Sequence, residues 1–119
     1  MASKLVQYVV VRGDLLRSMS WPTGAVIAQA CHACSAVIWL FKDDPNTMEY
    51  AKDIDHMHKV VLEAKDEEQL NNISMALTAD NIDHKLWIEQ PENYSTCLAT
   101  KPYTKDQIQK YFKKLKLFK

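Results

Sequence analysis

Residues 5–12, within "KLVQYVVVRGDL", place Leu5, Val6, Tyr8, Val9, Val10 and Val11 at both odd and even positions. A strand with one wet face alternates apolar with polar, so a run this continuous reads as a strand buried on both sides. Such a strand must be covered twice, which confines the chain to a sheet lying between helical layers. "RGDLLRSMSWPTG" then turns away as a loop, and a helix is predicted from about Gly24 to Phe41. Asp44 is placed to cap a short helix with Pro45 at its first position.

"HMHKVVLEA" reads as a second strand, and "KDEEQLNNISMALTADNI" as an amphipathic helix through Leu70, Ile73 and Leu77. "IDHKLWIEQ" alternates, with Ile82, His84, Leu86 and Ile88 on one side and Asp83, Lys85, Trp87 and Glu89 on the other. A turn at "PEN" joins it to "YSTCLATKP" as a hairpin. The last segment carries Ile108, Tyr111, Phe112 and Leu115 at helical spacing, with lysines opposite. The expected order is βααβαββα: an α/β fold, a single domain over 1–119, with a four-stranded mixed sheet sandwiched between helices.

A length of 119 residues suits one core. At 47% apolar and 25% charged residues the composition is that of a folded domain and argues against disorder. The apolar runs fall short of the roughly 20 residues of a membrane span, and the N-terminus lacks a secretory pattern, so a cytoplasmic protein without a membrane partner is expected. Net charge is zero, but residues 101–119 hold seven lysines against one acid, Asp106. That end can steer an anionic partner, or be a solvated helix face. Cys31, Cys34 and Cys97 are an odd number, and two lie within the apolar helix pattern, which fits reduced core thiols. Cys31 and Cys34 have the separation of a metal knuckle with His32 between, but a second ligand pair at that spacing is lacking.

"WPTGAVIAQACHACSA" sets two polar residues, Gln29 and His32, three apart among alanines and cysteines, with residue 25 on the same side one turn earlier. Whatever this stripe faces is the best candidate for a site. Ligands in such sheets bind outside the carboxyl ends of strands, and the loop from Gly13 to Thr23 leads from one such end to the stripe.

"VVVRGDL", "GAVIAQACHA", "HKVVLEAKDEEQL", "TCLATKP" and "KKLKLF" occur in the order and approximate spacing of the type 2 peptidyl-tRNA hydrolases. The chain resembles that family over about residues 4 to 119, most closely its divergent domain-containing branch. The resemblance implies hydrolysis of the ester between a peptide and tRNA, with no metal or organic cofactor and with the tRNA acceptor end as partner. It places Gln29, His32 and Thr96 in the catalytic cluster and Arg12 and Asp14 at its mouth, and matches Lys59 to the lysine that opens the second strand. Lys110, Lys113 and Lys114 of the last helix would contact tRNA. Dimers occur in the family, so a homodimer is one assembly it implies.

Two departures stand out. Ala25 occupies the position of the family's functional lysine, and its "D-x-G-x-T" segment has no counterpart, because "IEQPENYSTCLATKP" runs straight through. Glu89 or Glu92 replaces the missing acid only if the turn points it back toward Gln29. The alternative to an enzyme is a catalytically degenerate module of the same fold that binds tRNA or a protein partner.

Each candidate has a structural alternative. His32 is a general base or a satisfied core histidine; Gln29 donates to a substrate carbonyl or bonds the preceding loop. Lys59 contacts a phosphate, compensates for the missing lysine, or is an exposed strand-end residue; Thr96 is an oxyanion donor or a plain strand residue. His56 and His58 share a face if the second strand starts that early, a metal pair or surface histidines. Trp21 and Trp87 read as core or lip aromatics.

Overall fold

Strand β1 (Leu5–Arg12) runs through the middle of the sheet, and its side chains feed two cores. Val6, Tyr8 and Val10 pack on one face with Leu62, Leu98 and the buried positions of a helix, Leu70 and Leu77. Val9 and Val11 pack on the other with Val26, Ala33, Val37, Cys97 and Ala99. Each such fully buried valine contributes about 2 kcal/mol of burial, so the double-sided strand is the densest source of stability in the fold. The structure, a computed structural model, describes residues 4–119.

Strand β2 (Lys59–Ala64) pairs parallel with β1, from Gln7↔Lys59 to Arg12↔Ala64. On the other flank lie β3 (His84–Glu89) and β4 (Tyr94–Thr100), an antiparallel hairpin whose β4 pairs with Val9–Val11. Two further two-residue strands, β5 (Tyr103–Thr104) and β6 (Lys116–Leu117), pair with β1 and β2. The strand order is β3-β4-β1-β2-β6, with β5 continuing along β1. The α/β architecture and mixed sheet are as expected, with six strands where four were read.

The loop after β1 contains a one-turn helix, α1 (Asp14–Arg17). Helix α2 (Thr23–Leu40) covers one face of the sheet and α4 (Glu67–Ala79) the other. The short helix α3 (Pro45–Lys52) begins as its sequence dictates: the Asp44 carboxylate accepts from the backbone N–H of Asn46 at 2.9 Å and of Thr47 at 3.4 Å.

Several expectations change. Strand β2 starts at Lys59, so His56 and His58 do not share a strand face; His56 closes a 3-10 turn (Ile54–His56) and bonds Asp53. The lysine-rich terminus is not a continuous helix. It makes α5 (Lys105–Ile108), a 3-10 turn (Gln109–Phe112) and then β6. Ile108 and Phe112 are drawn into the core, where Phe112 stacks on Tyr8 at 4.5 Å, and the following residues take up backbone groups of β2, Phe118 N–H donating to the Val61 carbonyl at 3.0 Å. Tertiary pairing here overrides helical spacing. Cys31 is exposed, Cys34 half-buried and Cys97 buried, so only the last is a core thiol. Helix α2, at 18 residues and mean hydropathy 1.4, is long and apolar enough to cross a membrane by length and composition, contrary to the reading of short apolar runs. In this fold it docks one face on the sheet and leaves Ile27, Trp39 and Leu40 exposed.

Lys101 does not belong to the free cationic surface either. It is buried, and its Nζ donates to Asp44 at 2.6 Å and Asp83 at 2.9 Å, tying the cap of α3 to the entry of β3. Burial works against both charges, but their hydrogen bonds prevail: the Lys101 ammonium is held above its ordinary pKa and the Asp44 carboxyl below its own. Because Asp44 is depressed, its share of stability is present above the ordinary carboxylate pKa and lost as pH falls through the folded-state value. Lys101→Met should lower unfolding free energy by about 1–3 kcal/mol at neutral pH. In urea melts the gap to wild type should shrink below about pH 4; a pH-independent gap would refute the linkage.

Candidate active site

Strand β4 carries an irregularity that aims the site. Ile88 pairs with Ser95 but Trp87 with Cys97, so Thr96 is an extra residue without a partner on β3. In regular alternation Thr96 would share the face of Leu98, toward α4. The bulge turns it instead to the α2 side. There its hydroxyl donates to Gln29 Oε1 at 2.8 Å, a bond buried on both sides.

Gln29 is 2% exposed. Its Nε2 donates to the Ala25 carbonyl one turn back at 3.2 Å, which leaves a second Nε2 hydrogen to offer. Residue 25, where the resemblance expects a lysine, thus supplies a backbone acceptor and a methyl group. His32, one turn further along α2, is exposed and stacks flat on Trp87, with ring centroids 4.5 Å apart and planes 9° apart. The Trp87 indole N–H donates to Glu89 Oε1 at 3.0 Å. Glu89 therefore reaches the His32 side of the site through the indole, while Glu92 is exposed in the turn.

The bulge is held from below. Arg12, at the carboxyl end of β1, is buried, with Nε and Nη2 forking onto the Asp14 carboxylate at 2.9 and 2.8 Å. Its Nη1 donates to the Ser95 carbonyl at 3.1 Å, and Nη2 also meets Met19 Sδ at 3.4 Å. The Ser95 N–H donates to Glu67 Oε2 at 2.8 Å, and that carboxylate lies 4.0 Å from Arg12. Strand β1 pairs with β4 only as far as Cys97. Beyond it, Arg12 and Glu67 side chains take over as partners of the β4 backbone, so the donors of Arg12 are engaged within the fold.

Lys59 lies apart from this group. It pairs with Gln7 in the sheet, five residues from the Arg12↔Ala64 pair and so about 16 Å along the strands. Its Nζ donates to Gln7 Oε1 at 2.6 Å and to the Tyr50 hydroxyl at 3.1 Å. Burial of the ammonium pulls its pKa below the ordinary lysine value, with the Cys34 thiol nearby opposing the shift. Lys110 sits over the Tyr111 ring, 5.3 Å from its centroid, and Lys113 is exposed in the turn before β6. Lys114 lines a groove of about 690 Å³ together with Arg17, Lys65, Lys116 and Lys119.

The structure thus brings Gln29 and Thr96 into direct contact, ties Arg12 with Asp14 to the Ser95 carbonyl next to Thr96 on the α4 face of the sheet, and separates Lys59. Sequence reasoning missed Glu67 and Ser95, whose roles depend on where β1 stops pairing, and the Trp87 stack on His32. The alternation of β3 did set Trp87 on the side opposite Leu86, and in the structure that side faces α2.

The family model "Peptidyl-tRNA hydrolase PTH2" matches residues 5–118. A Mus musculus protein named "Putative peptidyl-tRNA hydrolase PTRHD1" is 52% identical over 116 residues, spanning 97% of this chain and 83% of its own. A Homo sapiens protein of the same name is 50% identical over the same extents. With the βαβ core, the stripe on α2 and nearly the whole chain in agreement, this protein belongs to the PTH2 family of peptidyl-tRNA hydrolases.

Proposed function

We propose that the protein hydrolyses the ester of peptidyl-tRNA. The observation that supports this best is the bulge that delivers Thr96 to the buried amide of Gln29, one helical turn from the exposed imidazole of His32. In this reading His32 takes a proton from an attacking water, whose oxygen adds to the ester carbonyl. The second Nε2 hydrogen of Gln29 supports the oxyanion that forms. Collapse expels the ribose oxygen, which recovers the proton from the imidazolium, giving a tRNA with its terminal hydroxyl and a peptide carboxylic acid that loses its remaining proton to solvent. Thr96 spends its proton on Gln29 Oε1, so it is a positioning residue that fixes the amide flip. An ester has a good leaving group, so a general base and one oriented donor are a sufficient minimal set.

A second reading has its own observation: Gln29 is 2% exposed and its neighbour is Ala25 where the family carries lysine. That combination favours a fold that retains tRNA recognition without cleavage. Single-turnover assays with peptidyl-tRNA at enzyme excess separate the two. Cleavage by wild type, reduced about 10²–10⁴-fold in His32→Ala with tRNA affinity retained, is the expected result. Absence of cleavage by wild type, with binding intact, would establish the binding-only reading, and equal non-zero rates in the two proteins would refute the role of His32.

For Thr96, valine keeps the shape and removes the donor, leaving the Gln29 carbonyl oxygen buried and unpaired. Thr96→Val should cost about 1–3 kcal/mol of stability and lower kcat more than it changes KM. Thr96→Ser should restore both, and failure of serine to rescue kcat would argue against the positioning role.

A further inference from the structure

The groove of about 690 Å³ is walled by the end of α1, the carboxyl end of β2, the first turn of α4 and the β6 tail. Five basic residues line it: Arg17, Lys65, Lys114, Lys116 and Lys119. Its one acid, Glu63, is forked onto Arg17 at 2.8 and 2.5 Å. The four lysines are exposed and make no ion pair within 4 Å among the described residues. The groove therefore carries a net positive charge that the fold itself does not neutralise.

From these observations we infer that this groove, and not the lysine-rich terminus as a whole, seats the sugar-phosphate backbone of the RNA half of the substrate; the inference rests on the hydrolase reading above. Three features carry it. First, the groove opens at the carboxyl ends of the parallel strands β1 and β2, the edge that also bears Arg12 and Asp14. The Gly13 N–H donates to the Ala64 carbonyl at 2.8 Å, so the two regions share a seam. Second, its walls offer flexible ammonium groups on aliphatic stems with Leu115 and Leu117, and lack the converging buried polar groups that orient a small molecule. Exposed lysines at several points suit a repeating phosphate chain, which needs charge more than fixed geometry. Third, the groove exists only because the tail folds back as β6. That places Lys114, Lys116 and Lys119 opposite Arg17 and Lys65, and leaves Lys105 and Lys110 off its walls.

The test uses the full chain and deacylated tRNA, with binding followed across salt concentrations. The variant Lys65→Ala/Lys114→Ala/Lys116→Ala should bind at least about tenfold more weakly at low salt. Its dependence of log K on log salt should be flatter by about two to three units, one for each lost phosphate contact. With peptidyl-tRNA the same variant should raise KM and leave kcat in place. A matched control, Lys52→Ala/Lys105→Ala, removes two exposed lysines elsewhere and should leave the slope unchanged. Thermal melts coinciding with wild type confirm that the fold is kept. If wild type cleaves peptidyl-tRNA but the groove variant keeps its KM and slope, the groove inference fails while the hydrolase reading stands. If wild type neither binds nor cleaves, both fail.

Discussion

Everything in this fold hangs on one strand that is solvent-free on both sides. From Val6 to Arg12 the side chains of β1 are buried, and its backbone is paired to β2 on one flank and to β4 and β5 on the other. A strand so enclosed leaves little choice: one helix must cover each face, and the connection to the parallel neighbour must be long enough to carry one of them. Helix α2 occupies that crossover, which is why its N-terminal half returns to the end of β1 where Arg12 and Asp14 stand. Position of the site follows from burial of the strand, before any chemistry is considered.

Most of this architecture was legible in local pattern. The two-sided apolar run, the Asp44–Pro45 helix start and the alternation of β3 each report a period or a cap that physical chemistry ties to one conformation. The C-terminal segment was not legible. Ile108, Tyr111, Phe112 and Leu115 do keep a helical period, but Tyr8 offers Phe112 a stacking partner and β2 offers the tail a row of backbone groups. Neither is visible from inside the segment. The site divides the same way. Gln29 and His32 were legible as polar residues in an apolar helix. That one would be buried against Thr96 and the other stacked on Trp87 depends on the register in which the β3–β4 hairpin meets α2, including the unpaired Thr96, and spacing within α2 does not report that register.

Ala25 brings no charge to the stripe on α2, and what the structure places there is a clamped bulge, an oriented amide and an imidazole on an indole. Arg12 is the hinge of this arrangement. It lies at 6% side-chain exposure, with its fork on Asp14 and a third donor on Ser95. A lysine there could not reproduce the planar fork, so the position demands arginine on geometric grounds.

The pairing of β6 has a consequence for the solution behaviour of the molecule. Without Lys116 and Leu117, β2 would be the outermost strand on that flank, with Val61 already 38% exposed and its carbonyl, now taken by Phe118, open to any other extended chain. A hydrophobic margin of that kind invites strand exchange and aggregation between copies. The short tail closes it with a charged strap, so these residues guard the protein against itself.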